Sequence, residues 1–361
     1  MSLRSRTLIT TTVAAVSAAL ALTASATASA SASAKSAPPD ARKLDSSVLA
    51  PFQIAVRGGT VWWTDGFAGT ITRLRNGHKQ VISHAGAEGV AVSGKKLAYT
   101  ASPEKSYSRL VVRQPGRKAK VVNIRHFEVT HNPDARVHYG IIKNYNKCAA
   151  DFLTSQPDSP PARYTGLVDS HPYQVEALPG GSWAIAEAAG NDILKVNKHG
   201  KISVVALLPR QPVTFTKKMA TAMGAPNCLV GVRYAFEPVP TDVERDGRGN
   251  LWVSLLPGGP EDPSLGARGA VYKITKAGKV IRIHGGFAGA TNLAVWKGKV
   301  YVAELFGGRV STIRNGRLVT VRKLNSPVAV EATKYKLFVG QLAPFGQNGP
   351  TGPGGIYRFP R

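Results

Sequence analysis

A short segment pattern that recurs six times along the chain constrains this fold more than any other feature. Each copy pairs two strand-like apolar segments across a turn, as in "ATNLAV" (290–295) followed by "KVYVAE" (299–304). A third segment follows in every copy and a fourth in most, with the two-residue alternation of β-strands. One such meander cannot bury both of its faces alone. The pattern therefore predicts an all-β, six-bladed β-propeller of four-stranded blades packed side by side.

The two ends of the chain are expected to share one blade. The sixth copy lacks its fourth strand, because the chain ends soon after "IYRF" (356–359). The segment "RKLDSSVLAP" (42–51) stands before the first copy much as "RKLNSP" (322–327) stands before the last. We expect residues 44–49 to supply the missing strand and close the ring, which would cover the exposed edges. This assigns the propeller domain to residues 43–361.

The N-terminus has the pattern of a secretory signal peptide. Arg4 and Arg6 precede an apolar stretch (8–22), and an Ala/Ser run with several A-x-A cleavage sites follows. We assign residues 1–34 to a signal peptide that is removed and residues 35–42 to a flexible lead-in. No later segment has the length and apolar character of a membrane span. The sequence therefore predicts a secreted, extracellular protein.

Two insertions interrupt the repeat, and each contains one of the two cysteines. Residues 125–170 lie between the second and third copies and contain Cys148, and residues 210–238 lie between the third and fourth and contain Cys228. In an exported protein such a pair favours a disulfide. Both insertions connect a fourth strand to a first strand, so we expect them on one face, where a bridge would join the two long loops into a cap. Two unrelated buried thiols are the alternative.

The charge balance excludes some partners. Lysine and arginine number 47 against 21 aspartate and glutamate residues, and the excess is spread over all six copies. No basic helix or basic strip with interleaved aromatic residues is present, so the sequence does not favour nucleic-acid binding. The charge suits anionic polymers of the cell envelope. A solubility charge with no partner is the other interpretation.

Carboxylates end the second strand in three copies, at Asp65, Glu187 and Glu304. In a propeller these strand ends surround one mouth of the central channel, close to the third residue of each first strand, and sites are commonly built on such an open face. The sequence thus predicts a ligand-binding rim for a small molecule or an extracellular partner. Its members are Gln53, Asp65, His171, Gln174, Glu187, Asp242, Asn292, Glu304 and Gln341.

Four carboxylates of this rim allow more than one chemistry. Asp65, Glu187, Asp242 and Glu304 could hold a hard cation such as Ca²⁺, which takes six to eight oxygen ligands. With His171 as partner, the same groups could act as general acid or base. They could also pair with Lys and Arg of neighbouring blades or accept hydrogen bonds from loop amides. The sequence leaves these alternatives open.

Three longer stretches resemble a known family. "FEVTHNPDARV" (127–137), "VDSHPYQVEALPGGSWAIAEAAGNDILKV" (168–196) and "VPTDVERDGRGNLWVSLLPGGP" (239–260) are similar to the ScyD/ScyE family of secreted, NHL-like six-bladed propellers. His171 stands where that family usually has Asn, Gln174 where Gly is common, and Glu187 where Asp is usual. The resemblance implies an exported propeller and little about its chemistry. A more distant similarity to gluconolactonase-like and virginiamycin B lyase-like propellers suggests metal-dependent chemistry at the mouth.

Two classes of function follow from these features. The first is a non-catalytic module that binds a ligand or partner at the channel mouth. The alternative is a divalent-cation-dependent hydrolase or lyase of the gluconolactonase-like or virginiamycin B lyase-like type, which would use the four rim carboxylates. An envelope-associated scaffold held by its charge is a third possibility.

Overall fold

Antiparallel four-stranded sheets make up most of the molecule. The computed structural model of the chain describes residues 41–104, 107–156, 159–260, 263–346 and 349–361. The expected signal peptide (1–34) lies outside these ranges, as does most of the expected lead-in (35–42).

The strands are named in chain order. The first half of the chain forms β1 (Arg42–Asp45), β2 (Ile54–Arg57), β3 (Thr60–Asp65), β4 (Thr70–Arg75), β5 (His78–Ser83), β6 (Ala87–Ser93), β7 (Lys96–Glu104), β8 (Tyr107–Arg113), β9 (Lys120–Asn123), β10 (His138–Lys143), β11 (Arg163–Thr165), β12 (Pro172–Leu178), β13 (Ser182–Glu187), β14 (Asp192–Val196) and β15 (Ile202–Leu207). The second half forms β16 (Gln211–Thr214), β17 (Arg233–Phe236), β18 (Pro240–Arg245), β19 (Leu251–Leu255), β20 (Gly269–Ile274), β21 (Val280–Phe287), β22 (Ala290–Trp296), β23 (Lys299–Glu304), β24 (Arg309–Arg314), β25 (Arg317–Lys323), β26 (Pro327–Ala332), β27 (Lys336–Gln341), β28 (Phe345–Gly346), β29 (Gly349–Pro350) and β30 (Gly355–Pro360).

Six of the sheets correspond to the six sequence copies. Sheet 1 is β2-β3-β4-β5, sheet 2 is β6-β7-β8-β9, sheet 3 is β12-β13-β14-β15, sheet 4 is β18-β19-β20-β21, sheet 5 is β22-β23-β24-β25 and sheet 6 is β26-β27-β30-β1. The first strand of each sheet contacts the first strand of the next, and β26 of sheet 6 contacts β2 of sheet 1. β28 and β29 pair as a small separate hairpin.

The nearly continuous apolar run of an inner strand arises because both of its faces are covered. In β23, Val300 and Val302 pack with residues of sheet 4 such as Val271. The residues between them, Tyr301 and Ala303, point the other way and pack with residues of sheet 6. Successive side chains of a strand point to opposite faces, so each sheet must present apolar residues on both.

The chain ends pair with each other, although the strand differs from the one expected. β1 (Arg42–Asp45) runs antiparallel to β30, with Arg42 opposite Arg358. It thus overlaps the expected 44–49 segment only at residues 44 and 45. The strand ends early because the Asp45 carboxylate accepts hydrogen bonds from the Ser47 amide and hydroxyl at 2.9 and 2.8 Å, a local turn that competes with sheet pairing.

Three short helices lie in the insertions. They are α1 (Ile124–His131), α2 (Lys147–Thr154) and α3 (Lys217–Ala222). Asn123, Asn146 and Thr216 precede them, and each side chain accepts a hydrogen bond from an amide of the first turn, which fixes where the helix begins. Single 3₁₀ turns cover Pro179–Gly181, Asn227–Leu229 and Pro263–Leu265. Within the described ranges, no helix has the length and apolar character needed to cross a membrane.

The two insertions form one structural unit rather than two loops. Strands β10 and β11 from the first insertion and β16 and β17 from the second make a seventh four-stranded sheet, in the order β11-β10-β17-β16. Its apolar core includes Ile141, Phe215 and Leu229. Cys148 and Cys228 form a disulfide within it, with their Cα atoms 6.2 Å apart. The predicted bridge is confirmed, and we call this unit the cap.

Candidate functional site

Three of the predicted rim residues hold neighbouring sheets together. Each is the third residue of the expected first-strand segment of its copy and accepts a hydrogen bond from a main-chain amide in the first strand of the next sheet. The acceptors are Gln53 Oε1 from Val90 at 2.6 Å, Asp242 Oδ2 from Leu293 at 2.9 Å, and Asn292 Oδ1 from Val330 at 2.7 Å. All three side chains are buried. The repeated polar residue is therefore engaged in joining sheets.

Gln53 and Gln174 also connect sheets 1 and 3 directly. Gln53 Nε2 donates to the Val175 carbonyl at 3.2 Å, and Gln174 Nε2 donates to the Phe52 carbonyl at 2.9 Å. Sheet 2 has Gly89 at the equivalent position, where a Cβ atom would lie 2.8 Å from the Tyr173 carbonyl. The absence of a side chain there lets sheet 3 approach closely.

Asp65 and Glu304 also have structural partners. Asp65 accepts main-chain hydrogen bonds from four amides, including Leu49 at 2.8 Å and Ala50 at 3.1 Å. Glu304 is fully buried and takes two hydrogen bonds from Arg309, at 2.8 and 3.1 Å, as well as one from the Ala288 amide at 2.8 Å. Gln341, the predicted rim residue that ends the second strand of the sixth copy, is half-buried at the end of β27.

Apolar side chains adjoin several of the predicted rim residues. A buried apolar cluster lies at or near the ends of inner strands. It contains Phe52, Tyr173, Val239, Val328 and Leu342. The Phe52 and Tyr173 rings lie 5.5 Å apart. Buried apolar contacts therefore lie next to several of the predicted rim residues.

Glu187 differs from Asp65 and Glu304 because the cap brings further acids to it. Glu187 ends β13 opposite Asp192, the first residue of β14. Glu128 comes from α1, and Asp134 from the turn that follows it. These four residues, which we call the subcap cluster, are only 1–2 % exposed. They lie where the first insertion covers sheet 3.

Gly190 shows how near two of these carboxylates lie. A Cβ atom at this position would be 2.9 Å from Glu187 Oε2 and 3.2 Å from Glu128 Oε2. The Gly190 amide donates a short hydrogen bond to Glu187 Oε2. Asp134 is held separately, since its Oδ2 accepts 3.0 Å hydrogen bonds from the Tyr139 hydroxyl and from Asn191 Nδ2.

The subcap carboxyls favour their protonated forms. Burial, together with the charges of Glu187 and Asp134, raises the pKa of Glu128 to about 8. Burial raises the pKa of Glu187 to about 7, although the hydrogen bond from Gly190 opposes it. Burial and the charges of its neighbours raise the pKa of Asp192 well above its usual range. At neutral pH this cluster therefore retains protons or requires a compensating positive charge.

His171 is engaged with a glutamate beside the cluster. Its Nε2 lies 2.5 Å from Glu88 Oε2, and both side chains are largely buried. Burial by itself would lower the pKa of His171, but the Glu88 carboxylate outweighs that effect and raises it to about 9. His171 and Glu88 thus form a buried ion pair at neutral pH, and the imidazolium is committed to this partner.

A second group of acids, which we call the channel acids, lies further along the first strands. Glu176 and Glu244 lie two residues after Gln174 and Asp242 in their strands. Glu331 has the equivalent position in β26. Burial raises the pKa of Glu176 to about 7. Burial and the charge of Glu176 also raise the pKa values of Glu244 and Glu331.

The four carboxylates of the predicted cation site do not form one cluster. Among the described residues, no three His, Cys, Asp or Glu side chains have the arrangement of a ready-made metal site. Glu187 instead joins acids of the cap. Glu128, Asp134 and Asp192 were not singled out from the sequence, although all three stand in the motifs "FEVTHNPDARV" and "AEAAGNDILKV".

A basic groove runs along the outside of the junction between sheets 2 and 3. It has a volume of about 540 Å³ and is bordered by β9, α1 and the β14–β15 turn. Its polar lining comprises Lys120, Asn123, His126, Thr130, His131, His199 and Lys201. No acidic side chain is among its lining residues in the described ranges, so the groove suits an anionic group.

Comparison with known proteins identifies the fold. No protein-family profile and no curated protein matches the chain. Among solved structures it is similar to a gluconolactonase from Xanthomonas campestris, at 13% identity over 90% of this chain and 91% of that one, with a TM-score of 0.52. It is also similar to a putative glucose dehydrogenase from Thermus thermophilus, at 14% identity over 88% of this chain and 98% of that one, with a TM-score of 0.51.

A third solved structure is a virginiamycin B lyase from Staphylococcus aureus, at 15% identity over 89% of this chain and 87% of that one, with a TM-score of 0.46. Identities this low concern the fold alone. The sheet architecture and the gluconolactonase likeness together show a fold of the β-propeller type.

Proposed function

We propose that this protein is an exported, non-catalytic binding module that attaches to anionic polymers outside the cell. In this proposal the six sheets are the six blades of a closed propeller, tied by the pairing of β1 with β30, and the chain is a ScyD/ScyE-like protein. The disulfide supports export, because such bonds persist in oxidising compartments. The cap and the groove beside it form the binding side.

The distribution of charge is the main support for this proposal. Among the described residues, ten acidic side chains are buried, namely Asp45, Asp65, Glu88, Glu128, Asp134, Glu187, Asp192, Asp242, Asp246 and Glu304. No lysine or arginine is buried in the described ranges. The surface is therefore more basic than the composition alone suggests. A field of this kind attracts polyanions over a distance set by ionic strength.

The basic groove gives this attraction a defined place. Lys120 and Lys201 border it and are exposed, and Lys120 Nζ is held 2.7 Å from the Lys198 carbonyl. Three histidines add further ring nitrogens to the polar lining. A linear polymer with regularly spaced phosphate groups would meet lysines and histidines along the groove.

The burial of the acids supports binding over the alternative of a hydrolase or lyase. A carboxylate that acts as general acid or base must reach the reacting atoms. Glu187 and Asp192 are only 1 % exposed, and Glu304 is fully buried against Arg309. These groups lie where a polymer or sugar cannot touch them.

The proposal is tested by measuring binding to defined polymers. The purified protein is titrated with fluorescently labelled polyphosphate at 50 and 200 mM salt, with neutral dextran as control. We expect binding to polyphosphate that weakens with salt. The variant Lys120→Ala/Lys201→Ala should bind at least about threefold more weakly than the wild type.

A matched variant separates the groove from the general surface charge. Lys217→Ala/Lys218→Ala removes the same charge from an exposed helix of the cap. It should bind almost as well as the wild type. If the protein does not bind polyphosphate at low salt, or binds dextran equally well, the proposed function is rejected. Equal losses in the two variants would remove the groove from the proposal.

A further inference from the structure

The subcap cluster contains more carboxyl groups than the nearby cationic side chains could balance in their ionised forms. Among the described residues, Arg125 acts on Glu128 and His171 acts on Glu187, and each already has an acidic partner outside the cluster. Arg125 Nη1 is 3.1 Å from Asp169 Oδ1, and His171 pairs with Glu88. On the cap side, Glu237 adds a further acid whose charge interacts with Asp134. The four cluster carboxyls therefore lack a cation of their own among these neighbours.

Asp192 is the member of the cluster in which the lack of a partner is clearest. It is 1 % exposed, and within the described part of the chain neither carboxylate oxygen has a hydrogen-bond partner. Oε1 of Glu128 is also buried without a partner. Leaving a buried carboxylate without compensation is costly, so such groups are normally paired, protonated or bound to a metal. Asp134 differs, because Tyr139 and Asn191 satisfy its Oδ2.

The carboxylate chemistry of this cluster suits a small hard cation. Glu187 and Glu128 both reach the space beside Gly190, and the charges of Glu187, Glu128 and Asp134 all act on Asp192. Carboxylate and carbonyl oxygens are the ligands of Ca²⁺, which accepts six to eight of them in irregular geometry. Mg²⁺ requires near-octahedral geometry and retains several waters, which suits a buried cluster less well.

We propose that the subcap cluster binds one Ca²⁺ ion, with ligands from α1 and its following turn on one side and from β13 and β14 on the other. The side chains are not preassembled as a metal site. Asp192 and Glu128 turn inward as the ion enters, and their unpartnered oxygens have no hydrogen bond to lose. This site shares only Glu187 with the set predicted from the sequence. It is independent of the polymer-binding groove, and it would lock the cap onto sheet 3.

Thermal melts of the full chain test the proposal. The protein is treated with EDTA, dialysed at pH 7.5, and melted alone, with 5 mM CaCl₂ and with 5 mM MgCl₂ at constant ionic strength. We expect Ca²⁺ to raise the Tm by about 5 °C and Mg²⁺ by less than half of that. Equilibrium dialysis of the wild-type protein with ⁴⁵Ca²⁺ should give one tightly bound ion per chain, a readout that needs no variant.

Two variants locate the ion. Asp192→Asn keeps the side-chain size and should abolish the Ca²⁺ shift, while its Tm in EDTA should be at least as high as that of the wild type. Glu244→Gln removes a carboxyl from the channel acids and should retain the full shift. A wild type that binds no Ca²⁺ in dialysis overturns the proposal. So does a Ca²⁺ shift that survives in Asp192→Asn or disappears in Glu244→Gln.

Discussion

Replacing Glu128 with Gln should change how stability depends on pH. The pKa of Glu128 is raised from 4.5 to about 8 in the folded protein. The folded state thus holds a proton that the unfolded state releases at lower pH. Between pH 4.5 and 8 the unfolded state binds fewer protons than the folded state, so this residue's contribution to stability falls as the pH rises.

The size of this effect follows from the two pKa values. A difference of about 3.5 corresponds to about 5 kcal/mol, at about 1.36 kcal/mol per pKa unit. Local relaxation and water entry reduce such figures, so we expect a destabilisation of about 2–4 kcal/mol at pH 8. Gln has nearly the same shape and does not ionise. Glu128→Gln should therefore match the wild type near pH 4.5 and exceed its stability by this amount at pH 8.

Urea unfolding in the presence of EDTA measures this difference. The midpoint is determined from pH 4.5 to 8 for the wild type, for Glu128→Gln and for Asp151→Asn. Asp151 is exposed on α2, where it pairs with Lys147, so its replacement should change stability by less than about 0.5 kcal/mol across the range. Parallel curves for wild type and Glu128→Gln would refute the charge imbalance inferred for the subcap cluster.

Three further predictions concern the framework. Replacing Cys148 and Cys228 together with Ser opens an 80-residue loop and should cost about 4 kcal/mol in urea unfolding, whereas an unchanged midpoint would show that the cap needs no bridge. Deleting residues 42–45 exposes the edge of β30 and should lower the Tm and cause aggregation in light scattering; a monomeric protein with the original Tm would contradict this. Arg309→Ala leaves Glu304 buried without its cation and should lower the stability by about 2–3 kcal/mol, and a loss below about 0.5 kcal/mol would count against a structural role for the pair.

The strands could be predicted because their signal is local. The segments "KVYVAE" and "DILKV" coincide with β23 and β14 from end to end. Alternating apolar residues and Gly-rich turns act within a few residues, and the covered faces of neighbouring sheets require this pattern. The repetition of the pattern then indicated how many sheets to expect.

The cap could not be predicted in the same way, because its pairing is not local. β10 pairs with β17, about ninety residues further along the chain, and the two strands come from different insertions. Neither insertion contains a repeated strand pattern that would reveal the sheet. The two cysteines were the only sequence signal that joined these segments, and the disulfide does join them.

The sequence singled out one residue of the subcap cluster. Glu187 was recognised by its position at the end of a strand, but the sequence treated Asp65 and Glu304 as equivalent to it. The difference lies in what approaches each carboxylate: backbone amides reach Asp65, Arg309 reaches Glu304, and further acids reach Glu187. The placement of the cap brings Glu128 and Asp134 to Glu187, and strand periodicity carries no information about that placement.

The distribution of charge links the two proposals physically. Burying an acid removes negative charge from the surface, so the same arrangement that leaves the subcap cluster uncompensated also makes the exterior more basic. A bound Ca²⁺ would neutralise the interior cluster without altering the exposed lysines. Removing the ion should therefore lower the Tm and leave polyphosphate affinity almost unchanged, provided that α1 keeps its place beside the groove. A parallel loss of affinity on addition of EDTA would instead mean that the ion positions α1, which contributes His126 and His131 to the groove.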